Sequence, residues 1–117
     1  MSKKILIIDD EPDVRDYLVA IFEKEGYQTR TATDGVEGMK ILKSDQFDLI
    51  TLDLQMPNDT GTDFYRKIHR DNKYKDIPII VVSGLAGRHL AIRKPIAVFD
   101  KPIDKDKLVE KVREIIG

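Results

Sequence analysis

Five short runs punctuate the chain, at residues 5–8, 29–32, 49–52, 79–82 and 97–99. Three of them are continuous and aliphatic rather than alternating. That is the pattern of strands buried on both faces, as in a parallel sheet covered by helices on each side. Helical spacing fills the gaps. Val14, Tyr17, Leu18, Ile21 and Phe22 fall on one face, Pro12 stands where a first-turn proline is tolerated, and Gly26 is a stop signal. Asp34 can cap a second helix carrying Val36, Met39 and Leu42. A third begins near Gly61 and carries Phe64 and Ile68; the last follows Asp104, with Leu108, Val112, Ile115 and Ile116 on its apolar stripe. Strand and helix alternating in this way predict a doubly wound α/β domain. The fourth connection is the irregular one. Only residues 84–96 separate Ser83 from Ala97, and they include Gly84, Gly87 and Pro95, so one or two helical turns or an irregular loop is expected there.

At 117 residues and 41% hydrophobic composition the chain suits one packed core, so residues 1–117 are expected to form a single domain. With 20 basic and 21 acidic residues the net charge is −1, which gives no electrostatic case for nucleic acid or an anionic membrane as the main partner. The absence of cysteine excludes disulfides and thiolate metal sites. The apolar run after Met1 is too short for a signal peptide or a membrane span, so a cytoplasmic protein is expected.

In an open α/β sheet, ligands bind beyond the carboxyl ends of the strands. Asp9, Asp10 and Glu11 follow the first run, Asp53 the third, Ser83 the fourth, and Asp100, Lys101 and Pro102 the fifth. Carboxylates gathered there repel, by roughly 4 kcal/mol for two unit charges about 4 Å apart at an effective dielectric of 20. Lys101 would offset part of this, and a divalent cation more. Mg²⁺ suits an all-oxygen site with a few carboxylates and several retained waters. Such a site is fitted to phosphoryl transfer, with an Asp53 carboxylate oxygen as nucleophile, the cations neutralising the transferring oxygens and Ser83 donating a hydrogen bond. Taken singly, each residue has an ordinary structural role as well. Asp9 or Asp10 could cap the first helix, Asp53 could belong to a polar turn before Pro57, Ser83 could be a turn hydroxyl, and Lys101 could be a solvated lysine. The set of complementary groups at four strand ends decides for a functional site.

The segments Ile-Leu-Ile-Ile-Asp-Asp-Glu-Pro from position 5, Leu-Ile-Thr-Leu-Asp-Leu-Gln-Met-Pro-Asn-Asp-Thr-Gly from position 49, Val-Val-Ser-Gly from position 81 and Asp-Lys-Pro from position 100 resemble, as a set and in order, the motifs of two-component receiver domains. The resemblance spans the chain. It implies a flavodoxin-like five-stranded parallel sheet of order 2-1-3-4-5, with the fourth helix shortened here. It makes Asp53 the phosphoacceptor, Asp10 a direct Mg²⁺ ligand, Asp9 the holder of metal-bound water, and the backbone carbonyl of Gln55 a further ligand. Ser83 becomes the switch hydroxyl. Lys101, set by a cis bond to Pro102, bridges to the phosphoryl group. A histidine kinase or histidine phosphotransfer protein would be the donor.

Two departures from the family pattern stand out. The position that usually carries a switching aromatic is Val98, with Phe99 one residue later and so on the opposite face of the strand. The segment from Ser83 to Lys101 is also a few residues short, so a monomer is expected rather than the common symmetric dimer. The basic stretch of Arg66, Lys67, Arg70, Lys73 and Lys75 reads first as a solvated face, whereas Arg88, Arg93 and Lys94 flank the shortened segment. Two alternatives remain: a receiver-like interaction module that is not phosphorylated, and a Mg²⁺-dependent phosphatase with an aspartyl-phosphate intermediate. The phosphatase would need an acid two residues beyond the nucleophile, where this chain has Gln55, which cannot shuttle protons. No helix-turn-helix argues for direct DNA binding.

Overall fold

The computed structural model describes residues 2–54, 56, 60–83 and 97–117; the side chains of Ser83 and Asp100 lie outside that description. The element order is β1 (Lys4–Ile8), α1 (Pro12–Lys24), β2 (Gln28–Ala32), α2 (Gly35–Ser44), β3 (Leu49–Leu52), α3 (Thr60–Arg70), β4 (Ile79–Ser83), β5 (Ala97–Asp100) and α4 (Lys105–Ile116). The strands form one sheet of order β2-β1-β3-β4-β5, and each neighbouring pair is parallel. The expected doubly wound fold is therefore present. The expectation of a short or irregular helix in the fourth connection falls on residues 84–96, outside the described residues.

Helix boundaries follow the local chemistry read from the sequence. Pro12 opens α1, and the chain leaves that helix through Gly26 at φ 92°, in the left-handed region that glycine reaches without strain. The Asp34 carboxylate accepts the Glu37 amide N–H at 2.8 Å, and that of Asp104 accepts the Lys107 N–H at 3.2 Å, capping α2 and α4. Neither Asp9 nor Asp10 caps α1; its N-cap residue is Glu11.

The central strands carry apolar side chains on both faces, and alternation sorts them into two cores. Leu6, Ile8, Ile50, Leu52 and Val81 join Leu42, Phe64 and Ile68 under α2 and α3. Ile5, Ile7, Leu49, Ile80 and Val82 join Leu18, Phe22, Leu108 and Val112 under α1 and α4. Burying each of the larger side chains contributes about 1.5–3 kcal/mol, so the two cores clamp the sheet from both sides. On β5, Phe99 packs against the second core, while Val98, in register with Val81, is 42% exposed. The two neighbours thus face opposite ways. Among the described residues no helix is long and apolar enough to cross a membrane.

Candidate functional site

The ladder of the sheet runs one residue past β1 and β3, and this fixes two carboxylates at the rim. The Asp9 N–H donates to the Ala32 carbonyl at 3.1 Å, and the Asp53 N–H to the Ile8 carbonyl at 3.0 Å. Both residues are buried, Asp9 at 1% exposure and Asp53 at 2%. A charge this deeply buried is costly unless it is paired. The partner comes from the other side of the sheet. Beyond β5 the Lys101 ammonium lies 3.2 Å from Asp53 Oδ2, to which it donates a hydrogen bond, and 3.1 Å from Asp9 Oδ2. It also donates to Glu11 Oε2 at 2.5 Å. The Lys101–Pro102 peptide is cis.

Asp10 joins the same cluster from an exposed position. One ligand oxygen from each of Asp9, Asp10, Glu11 and Asp53 falls within 4.8 Å of the others. Four carboxylates therefore face one ammonium. Burial pushes the Asp9 carboxyl up to about 6; the Glu11 backbone N–H, which donates to Asp9 Oδ1 at 2.9 Å, pulls it back, the Asp53 charge raises it further, and Lys101 opposes. Burial alone would lower the Lys101 ammonium, but Glu11, Asp53 and Asp9 more than reverse this and hold it above the ordinary lysine range.

The donor set fits a hard divalent cation. All the donors are oxygens, and the surplus charge is negative. Mg²⁺ takes oxygen ligands, carboxylates above all, and these four side chains supply that donor class within one small volume.

Asp9, Asp10, Asp53 and Lys101 are thus brought together as the strand-end argument expects. Ser83 ends β4 in register with Asp100, which places its backbone at the same rim; its side chain and all of Gln55 lie outside the described residues. Three contributors have no role assigned from the sequence, although the sequence places Glu11 at the rim. Glu11 binds the lysine directly, though as a third consecutive acid nothing set it apart. Arg15 donates through a guanidinium nitrogen to the Asp9 carbonyl at 2.8 Å, a contact that its place one turn into α1 could have indicated. Gly61 lets α3 press on the site: a Cβ there would lie 2.3 Å from the Asp53 carbonyl oxygen and 3.0 Å from Leu54 Cα.

A parallel sheet of order 2-1-3-4-5 with an acid cluster and a lysine at its carboxyl rim defines a flavodoxin-like α/β domain with a charged site at its strand ends. Comparison with known proteins makes the class specific. The family model of the response regulator receiver domain matches residues 5–113, and the chain belongs to that family. The Rrf1 protein of Nitratidesulfovibrio vulgaris is 30% identical over 104 residues, which cover 89% of this chain and 75% of that one. The CAI-1 autoinducer sensor kinase/phosphatase CqsS of Vibrio cholerae is 35% identical over 116 residues, covering 95% of this chain but only 17% of the sensor. Among solved structures, the response regulator TrrA of Thermotoga maritima in complex with Mg²⁺-BeF superposes with a TM-score of 0.86 at 32% identity, covering 97% of this chain and 99% of TrrA. Membership places the chain among domains that serve phosphorylation-dependent signalling as regulatory switches rather than as classical enzymes.

Proposed function

We propose that residues 1–117 form one receiver domain that takes a phosphoryl group onto Asp53 from a phosphohistidine of a histidine kinase or histidine phosphotransfer protein, and that the modified domain changes its binding to a downstream protein. The observation that carries this reading is the pairing of a buried Asp53 carboxylate with the Lys101 ammonium at 3.2 Å inside a four-carboxylate cluster. An Asp53 oxygen attacks phosphorus, the P–N bond to the donor imidazole breaks, and the electron pair leaves with that ring. Asp10, Asp53 and the Gln55 carbonyl would hold Mg²⁺, with Asp9 holding its water; bound there, the ion supplies charge that neutralises the transferring oxygens. Lys101 would contribute further positive charge beside Asp53, and Ser83 would donate a hydrogen bond to a phosphoryl oxygen. The domain works as a monomer.

Intact mass after mixing the protein with acetyl phosphate and Mg²⁺ tests the reading. The expected result is one added phosphoryl group, absent in Asp53→Asn and absent when the metal is chelated. A gain that survives Asp53→Asn overturns the assignment of the acceptor. No gain from acetyl phosphate, and no response to beryllofluoride, would leave only a receiver-shaped interaction module.

A further inference from the structure

Between α2 and α3, on the flank of the domain, runs a groove of about 200 Å³ that the phosphoryl chemistry does not use. Its walls are helical rows. Val36, Met39, Lys40 and Lys43 come from α2, facing Phe64 and Lys67 of α3. The helices can approach because α2 starts with a glycine; a Cβ at Gly35 would lie 2.0 Å from the Thr60 carbonyl oxygen.

Three features set this groove apart from ordinary surface. Val36 is 56% exposed, the most exposed large apolar side chain among the described residues. The rim is basic: Lys40, Lys43 and Lys67 stand around the apolar floor, with Asp63 the one acid beside them. None of these lysines has an ion-pair partner among the described residues, although the chain has more acids than bases. The volume falls below the roughly 300–1,000 Å³ typical of small-molecule pockets and suits the anchoring side chain of a peptide.

We propose that the α2–α3 groove docks an acidic, amphipathic segment of a partner protein, an apolar side chain seated on Val36 and Met39 and carboxylates meeting Lys40, Lys43 and Lys67. An apolar floor with a basic rim is the complement of such a segment, in the helix-in-groove manner. The lysines add steering and register more than raw affinity. A second copy of this chain is a poor occupant, because a two-fold contact through the groove would set lysine against lysine. Nucleic acid is a poor one too, since a phosphate backbone gains nothing from the exposed valine.

The test is a display selection of random dodecapeptides on the full chain, followed by affinity measurement of one selected peptide by fluorescence anisotropy. The expected winners are acidic and carry apolar residues at helical spacing. Their binding weakens about tenfold in Val36→Glu and in Lys40→Glu/Lys43→Glu, and also with added salt, but is unchanged in Lys107→Glu on α4. All the altered side chains are exposed, and circular dichroism checks that the variants fold. Winners that are basic, winners that bind the groove variants as tightly as the parent, no enrichment at all, or duplex DNA bound at the groove in place of peptide would each overturn the proposal. Phosphorylation of Asp53, read by mass in the same variants, is expected to be unaltered, so the two readings fail separately.

Discussion

Replacing Asp9 by Asn should stabilise the metal-free protein, although it removes a carboxylate that contacts a lysine. The reasoning is one of linkage. Asp9 titrates at about 6 in the folded chain against a reference of 3.8, so between those values the native state holds more protons than the unfolded one. Stability therefore falls as pH rises through that window, and the penalty is complete above pH 6. Roughly two pK units at about 1.36 kcal/mol each amount to ~3 kcal/mol at pH 8, with the opposing attraction of Lys101 already included. Asparagine keeps the acceptor for the Glu11 N–H, but its amide nitrogen would face the ammonium, which stands 3.1 Å from Asp9 Oδ2. That mismatch leaves an expected gain of about 1–2 kcal/mol. Urea unfolding of both proteins in EDTA at pH 4 and pH 8 measures it. The variant should have the higher midpoint at pH 8, with the gap closing toward pH 4. Mg²⁺ should raise the parent's midpoint more than the variant's. A variant less stable than the parent at pH 8 in EDTA, or a gap independent of pH, would refute the claim that burial dominates at Asp9.

Two further substitutions probe the packing behind the site. The Thr51 hydroxyl is buried with no hydrogen-bond partner among the described residues, so Thr51→Val is expected to be neutral or to stabilise by up to about 1 kcal/mol in urea unfolding; a loss above that would show that the hydroxyl is satisfied. Gly61→Ala sets a Cβ against the Asp53 carbonyl, and is expected to cost about 1–3 kcal/mol and to slow phosphorylation from acetyl phosphate; unchanged stability and rate would mean that α3 yields freely.

What the sequence made legible followed from period and punctuation. The aliphatic strands, the proline and aspartate at helix starts, and the split of Val98 from Phe99 are all local signals, and each reappears in the fold. The acid rim was legible for a topological reason: in a doubly wound sheet the carboxyl ends of neighbouring strands must meet. Contacts that depend on relative placement were not legible. Glu11 reaches Lys101 across 90 positions of chain, and Gly61 matters only because α3 starts against the Asp53 backbone. The α2–α3 groove was missed for the same reason. Lys67 was read with its neighbours as one solvated stretch, whereas the fold separates it from them and sets it beside two lysines of another helix.

The charge balance of the rim also bears on which reading of the fold is right. A domain kept only for its surface has no use for a buried carboxylate that titrates two units above its ordinary value, since a neutral isostere would lower the cost without disturbing the Ala32 and Glu11 contacts. Local rules are broken in this way where a site is held ready for a ligand. The cost is concentrated on groups that a hard cation would relieve, and it is offset in the meantime by an ammonium drawn from the far edge of the sheet. Lys101 follows β5, which pairs in register with β4, and on the proposed reading its ammonium beside Asp53 would answer the roughly −1.5 to −2 charges that a phosphoryl group adds there. Of the readings weighed, the proposed receiver is the one that would give Asp9, Asp10, Asp53 and Lys101 a joint role; an interaction module leaves the buried acids and their lysine without one, and a phosphatase finds Gln55 where it needs an acid.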